Sequence, residues 1–315
     1  MNAKPVIALT MGDPAGVGPE LGLRMLADPD VLACSTPVIF GDTRLLRRVA
    51  NATGLPFPQN AMFRDIRCEG MDSVTPGKLA SVCGAAAYRC IESATQEAMA
   101  GQVKAIVTAP LNKESLHLAG IPYHGHTEML VHLTGAKRTC MMLSSEQITT
   151  SLVTTHTSLA SVPGKLSVSS ILDTIHLTVE TMRHLRRHEP RLVVCALNPH
   201  AGEHGLFGNE EALFIEPAAA QARLEGLSIE GPLPPDTAFL PGRLATTTAY
   251  ICMYHDQGLI PFKMLAFETG VNITLGLPII RTSPDHGTAF DIAWAGKANP
   301  TSMRQAILYA VKLAT

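Results

Sequence analysis

The sequence predicts an α/β fold, a largely parallel sheet covered by helices on both faces. Two observations carry this. Short apolar runs of strand type alternate with longer segments of helical period, the pattern of βαβ units. At 315 residues, 46% hydrophobic and 17% charged, the chain is also long enough for two folded domains.

In chain order, strands are expected at Val6–Thr10, Pro37–Phe40, Ala105–Thr108, Cys140–Leu143, Thr149–Thr155, Leu192–Asn198, Ala249–Tyr254 and Val271–Leu277, each too short to make a helix. The first strand runs into GDPAGVGPE (12–20), where Gly12, Gly16 and Gly18 permit tight turns and Pro19 suits a first helical turn. A phosphate cradle on helix-terminal N–H groups and a plain strand-to-helix turn both account for it. The segment matches neither G-x-G-x-x-G nor a Walker loop. Leu79, Cys83, Ala86, Cys90, Ala94 and Ala98 form one apolar helix face that ends at Gly101. His126 and Thr127 open another helix with Glu128 in its first turn, for N-capping or for substrate binding. Ile171, Ile175, Val179, Met182 and Leu185 mark a third, with Arg183, Arg186 and Arg187 in the last turn, where cations suit the helix dipole. EGPLPPDTAFLPG (230–242) is expected to be a long surface loop.

Composition excludes several classes. The net charge of −2 argues against a nucleic-acid surface or a polybasic membrane anchor. No apolar stretch approaches the roughly 18–20 residues that span a bilayer. The seven cysteines form no C-x-x-C pair and lie mostly in apolar runs, as core thiols of a protein in the reducing cytoplasm.

Ligands on parallel sheets gather at the carboxyl ends of strands. Three strand patterns end in histidine: His156, His200 and His255. Three neutral imidazoles that converge there would make a catalytic divalent-metal site; singly, each is an ordinary polar residue at a strand end. Asp256 directly follows His255 and could orient it. Lys263, Asn272 and Arg281 sit in otherwise apolar segments, where a cation needs a partner, either a bound anion or a salt bridge. In DHGTAFDIAWAGKANP (285–300), a carboxylate could hold both hydroxyls of an adenosine ribose, which favours NAD.

GDPAGVGPE, APLNK (109–113), GHTE, VTTH, NPHAGEHG, YHDQG and GVNITLGLPIIRTSPDHGTA, in this order, resemble the 4-hydroxythreonine-4-phosphate dehydrogenase (PdxA) family from the first strand to the last helix. The resemblance implies two α/β/α domains of the isocitrate/isopropylmalate dehydrogenase kind, with the active site in the interdomain cleft. It implies a homodimer that shares its active sites between subunits. The opening GDPAGVGPE and the closing HGTAFDIAWAGKANP are also similar to segments of isopropylmalate dehydrogenases, which implies a discontinuous NAD-side domain of residues 1–130 plus 285–315. Residues 131–284 would then form the metal, substrate and dimerisation domain. By the same resemblance His156, His200 and His255 are the metal ligands, for Zn, Mg, Mn or Co. His126, Thr127, Lys263, Asn272 and Arg281 bind substrate, and His286, Gly287, Asp291 and Asn299 lie at the NAD. Lys263 and Asp256 are candidates for the catalytic proton transfer. Asp236-Thr237 also matches a family motif, without an assigned role. Trp294 departs from the relatives' DIAG motif, where glycine stands, so either the turn differs or an indole walls the cofactor.

The implied reaction is NAD-dependent, metal-assisted oxidation, with decarboxylation, of a small phosphorylated β-hydroxy acid. YHGHTEML and TAFDIA are similar to paralogues that oxidise 4-phosphorylated threonate or erythronate. A dehydrogenase for a non-phosphorylated cis-dihydrodiol dicarboxylate is the alternative of the same class. A three-His metallohydrolase, independent of NAD, is the alternative of a different class. Neither a nucleic-acid nor a membrane partner is expected.

Overall fold

The computed structural model describes residues 3–58 and 62–315. Its strands are β1 (Val6–Thr10), β2 (Thr36–Gly41), β3 (Met62–Asp65), β4 (Ala105–Thr108), β5 (Cys140–Ser144), β6 (Thr149–Leu152), β7 (Arg191–Cys195), β8 (Ser228–Leu233), β9 (Ala249–Cys252), β10 (Val271–Leu275) and β11 (Ile280–Pro284). The helices are α1 (Gly18–Met25), α2 (Pro29–Cys34), α3 (Thr43–Thr53), α4 (Ser81–Met99), α5 (Lys113–Leu118), α6 (His126–Thr134), α7 (Val168–Arg186), α8 (Glu216–Leu224), α9 (Pro235–Ala238), α10 (Pro241–Leu244), α11 (His255–Ala266) and α12 (Thr301–Ala314). They divide into two compact units, Met1–Lys137 with Leu277–Thr315, and Arg138–Gly276.

In the first unit the strands run parallel in the order β3-β2-β1-β4-β11. β1 and β4 are buried almost throughout, which explains their continuous apolar runs. Small residues set the helix packing: α4 buries Cys83, Ala86, Ala87, Cys90 and Ala94. A Cβ on Gly84 would lie 2.0 Å from the Ser115 carbonyl, so only glycine lets α5 approach. Asp42 caps α3 by accepting from the Arg44 and Leu45 amides, and Gly54 ends the helix in the left-handed conformation.

The second unit has the strand order β10-β5-β6-β9-β7-β8. The β10/β5 and β5/β6 pairs are antiparallel; β6/β9, β9/β7 and β7/β8 are parallel. Leu143, Leu152, Val193, Cys195, Tyr250, Cys252 and Phe262 share one core cluster. α7 begins with a capping box between Ser167 and Ser170. Arg183 pairs with Glu189 and Arg186 with Glu146, so the basic cluster at its end has acidic partners within the fold.

Three strands go beyond the sequence expectation: β3, β8 and β11. The supposed loop 230–242 is corrected as well, because it completes β8 and then forms α9 and α10. β8 lies at the end of the sheet, where a strand tolerates the Gly231-Pro232 pair. Among the described residues no helix is long and apolar enough to cross a membrane.

Candidate active site

Two clusters of chemically capable side chains lie one in each unit. In the second unit, His156 and His255 follow the carboxyl ends of neighbouring parallel strands, β6 and β9. The Thr154 hydroxyl donates to the Met253 carbonyl at 2.7 Å, and the Val153 amide donates to Cys252 at 2.9 Å, which aligns the two strand exits. Gln257, which sequence reasoning missed, accepts from the Met253 amide and donates to the Ala196 carbonyl, both at 2.7 Å. It thereby ties the exits of β9 and β7. The two imidazole rings lie with centroids 5.7 Å apart and planes tilted by 42°. They line a pocket of about 380 Å³ with Thr155, Ser158, Leu159, Tyr254 and Asp256. Asp256 Oδ1 lies 2.7 Å from His255 Nδ1, which leaves Nε2 as the ring nitrogen not engaged by Asp256.

His200 follows β7, next to β9, yet the structure does not assemble all three imidazoles. Among the described residues no group of three or more His, Cys, Asp or Glu is set to hold a metal. The cause is local backbone. Residues 200–204 all have positive φ (53°, 53°, 81°, 42° and 55°), a left-handed turn that costs about 1–2 kcal/mol per non-glycine residue. It leaves the His200 side chain 70% exposed, with Nδ1 3.3 Å from Glu203 and the ring near Phe207. The donor chemistry of His156 and His255, which line one pocket, fits a divalent cation.

Lys263 and Asn272 belong to the same unit. The expectation that Lys263 is a cation in an apolar setting is corrected: it is exposed on α11, its Nζ 6.0 Å from the centroid of the Phe267 ring. The apolar residues around it split between a buried face (Leu259, Phe262, Ala266) and an exposed one (Ile260, Met264, Phe267). Asn272 is partly buried on β10, paired in register with Leu143.

In the first unit Arg281 does meet the expectation of a buried cation. It is 4% exposed, and its Nε and Nη2 both donate to Thr108 Oγ1, at 3.1 and 2.7 Å. Burial brings its pKa down to about 10, so it stays charged at neutral pH. His126 lies beside it. Burial, and then the Arg281 charge, push the imidazole pKa well below its ordinary value, against a backbone hydrogen bond to Ala109. His126 is therefore neutral, and its buried Nε2 has no hydrogen-bond partner among the described residues. Thr127 is exposed in the first turn of α6 and caps nothing; Glu128 instead accepts from the His124 amide at 2.8 Å.

The depressed His126 value has a consequence for stability. The unfolded chain, with histidine near pH 6.5, binds more protons than the folded one, so stability rises with pH in that region. The contribution of neutral His126 is complete above about pH 6.5 and is lost as the pH falls toward the folded-state value. Thermal melts between about pH 7 and pH 5 are expected to fall less steeply for His126→Asn than for the parent. Parallel slopes would show that His126 does not carry this dependence.

The segment 285–300 presents the remaining candidates. His286, Gly287, Asp291 and Asn299 are all exposed. His286 Nδ1 meets the Gly287 carbonyl at 2.9 Å, and Asn299 Oδ1 accepts from the Thr301 amide at 3.0 Å. The exposed Asp291 carboxylate fits a ribose diol by its chemistry. Trp294 is buried at 8% exposure and has φ +58°, the conformation that glycine adopts freely. Its indole donates to the Pro14 carbonyl at 3.0 Å under the Arg48 guanidinium, so it packs inward. The GDPAGVGPE segment is resolved as a structural turn. The Asp13, Gly16 and Val17 amides donate to Pro110, Asp13 and Thr288 carbonyls, and the Ala15 amide to Asp13 Oδ1. Glu20, which sequence reasoning passed over, accepts from the Gly296 and Ala298 amides, each at 3.1 Å, and holds the closing segment in place.

Comparison with known proteins agrees with this fold. Residues 33–310 match the family model described as "Pyridoxal phosphate biosynthetic protein PdxA". A 4-hydroxythreonine-4-phosphate dehydrogenase of Desulfosudis oleivorans is 46% identical, over 99% of this chain and 96% of its own. A D-threonate 4-phosphate dehydrogenase of Pectobacterium atrosepticum is 42% identical, over 98% and 99% respectively. The crystal structure of 4-hydroxythreonine-4-phosphate dehydrogenase from Klebsiella pneumoniae superimposes with a TM-score of 0.89 at 42% identity, covering 100% of this chain and 99% of that one. Fold and relatives define an α/β oxidoreductase of the dehydrogenase type. Within that class, the chain belongs to the PdxA family.

Proposed function

We propose that this protein oxidises a small 4-phosphorylated β-hydroxy acid, such as 4-phospho-hydroxythreonine or 4-phospho-D-threonate or -erythronate, with NAD, a divalent cation and loss of carbon dioxide. The observation that carries the reading is the pairing of buried Arg281 with the half-buried, neutral His126. A buried guanidinium selects an anion by charge and by its planar fork of donors. The neutral His126 ring, held through its other nitrogen by the Ala109 backbone, offers an Nε2 lone pair to a substrate hydroxyl. An anion and a hydroxyl are the two groups such an acid presents. Thr127, Lys263 and Asn272 are further substrate contacts in this reading.

When bound, NAD supplies the hydride acceptor and the cation supplies positive charge for the developing alkoxide. His156 and His255 would hold the cation, with Asp256 orienting His255 and His200 completing the set. Asp291, His286, Gly287 and Asn299 would hold the adenosine side of NAD. The hydroxyl proton needs an acceptor, and Lys263 or Asp256 is proposed for that transfer. Homodimer formation around a shared site is also proposed; the exposed Ile260, Met264 and Phe267 face of α11 supports a covered surface. Seven free cysteines support a reducing, cytoplasmic setting.

The test is a substrate panel with NAD and Mg²⁺, Mn²⁺, Co²⁺ or Zn²⁺. NADH formation is expected with phosphorylated four-carbon hydroxy acids and not with their dephosphorylated forms. Turnover of a cis-dihydrodiol dicarboxylate alone would favour that alternative. Hydrolysis of phosphate esters without NAD binding would favour the metallohydrolase.

A further inference from the structure

The opening and closing segments of the chain are tied together on both sides of Asp291, and a buried ion pair supplies several of the ties. Glu20, in the first turn of α1, is wholly removed from water. Its Oε2 accepts from the Gly296 amide and its Oε1 from the Ala298 amide, each at 3.1 Å. Arg24, one turn along α1, donates to the same Oε1 through Nε at 3.2 Å and Nη2 at 3.1 Å. Arg24 Nη2 also donates to the Gly296 carbonyl at 2.7 Å. One ion pair therefore takes both polar groups of the residue 296 backbone, whose φ of +72° suits glycine.

The other side of Asp291 is tied as well. The Thr288 carbonyl accepts from the Val17 amide at 3.0 Å, and a Cβ on Gly77 would lie 2.7 Å from the Phe290 carbonyl. With the Trp294 bond to Pro14, the loop is pinned at residues 288, 294, 296 and 298. Its inward residues, Trp294 and Ala298, are buried, while Asp291, Lys297 and Asn299 stay exposed.

We propose that Glu20 is a positioning residue for the dinucleotide: its carboxylate, paired with Arg24, fixes the loop so that Asp291 and Asn299 stand in one arrangement before the cofactor arrives. The proposal rests on the reading above that these two residues hold the adenosine side of NAD. A carboxylate suits the task, because its two oxygens meet two backbone N–H groups and a guanidinium. A loop that samples several arrangements binds only in proportion to the fraction that is competent, and fixing it beforehand removes that loss. Glu20 acts from behind the loop, buried, while the residues it positions face solvent.

The experiment is isothermal titration of the full chain with NAD and, separately, with Mn²⁺. Variants are Glu20→Ala, Glu20→Gln, Asp291→Ala and the two double variants that join each Glu20 change to Asp291→Ala. Glu20→Ala is expected to weaken NAD binding about 10-fold, the contribution of one hydrogen bond to a charged group. Mn²⁺ affinity is expected to stay parental, since His156 and His255 belong to the other unit. In turnover the loss is expected in KM for NAD and not in kcat. Glu20→Gln keeps the shape and one accepting oxygen, and is expected to weaken NAD binding less than Glu20→Ala. The double variants are expected to bind more tightly than the product of the single losses, because Asp291 contributes less once its loop is loose. In the NAD-free protein, Glu20→Ala is expected to speed amide exchange at Gly296 and Ala298. Should Glu20→Ala fail to fold by circular dichroism, Glu20→Gln and its double variant carry the test.

Parental NAD affinity in the Glu20 variants, alongside a loss in Asp291→Ala, would overturn the positioning role. Full additivity in the double variants would overturn it as well, since Glu20 would then not act through Asp291. An equal fall in Mn²⁺ affinity would do the same, because it would mark a general loosening of the protein. Parental NAD affinity in Asp291→Ala would remove the dinucleotide from this loop, and the proposal would go with that reading.

Discussion

Arg281→Met is expected to lower kcat/KM for a phosphorylated hydroxy acid by about 10³-fold while leaving the ligand-free protein at least as stable as the parent. Arg281 stands near the start of β11, beside Thr108 at the end of β4, and is almost wholly removed from water. Its reduced pKa is the signature of that lost hydration. A ligand anion returns favourable charge interaction, and its removal leaves the anion in a site without the guanidinium, a loss of about 3–5 kcal/mol. Methionine has similar reach and no charge, so the hydration penalty disappears with the arginine. The Thr108 bonds are lost as well, but a hydroxyl can rotate to another partner. Arg281→Lys is expected to recover only part of the activity, because a single ammonium does not reproduce a planar fork. Steady-state kinetics and thermal melts check both halves. Near-parental kcat/KM in Arg281→Met would remove Arg281 from the substrate site.

His156→Ala and His255→Ala are expected to lose bound divalent metal and most turnover without unfolding. Both rings line an open pocket and neither belongs to the apolar core, so their removal leaves no cavity there. Four protein ligands hold zinc with about 10–16 kcal/mol in small zinc domains, so one imidazole is worth on the order of 3 kcal/mol, or 100-fold in affinity. Asp256→Asn keeps the ligand and weakens its orientation, with an expected loss of about 10–100-fold. Metal content after dialysis and isothermal titration measure the effect, and circular dichroism verifies folding. Unchanged metal content in His156→Ala and His255→Ala would refute the assignment.

Much of the fold was legible because buried parallel strands advertise themselves. Val6–Thr10, Ala105–Thr108 and Ala249–Cys252 are apolar runs with nothing else to be. β11 hides by the same logic, since its IRTSP sequence is polar. The structure satisfies it locally, with Thr282 Oγ1 donating to the Ala306 carbonyl on α12 at 2.8 Å. β8 hides behind a Gly-Pro pair that an end strand tolerates. At the site, histidines at strand exits are visible as a pattern, and Arg281 as a charge in an apolar run. The left-handed turn at 200–204 is not visible, because Ala and Glu seldom adopt that conformation and nothing in the local sequence announces a run of five such residues. Gln257 and Glu20 escape for the same reason: their partners are distant in sequence and their value appears only in three dimensions.

The buried indole has a use that its packing creates. Trp294 is the only tryptophan in the chain, so red-edge excitation of protein fluorescence reports one place alone, the closing loop against Pro14. That loop also carries Asp291 and Asn299. Emission from a single dry indole under a guanidinium shifts when its surroundings change. It also overlaps the absorption of reduced nicotinamide, so quenching and energy transfer would register dinucleotide docking without any added label.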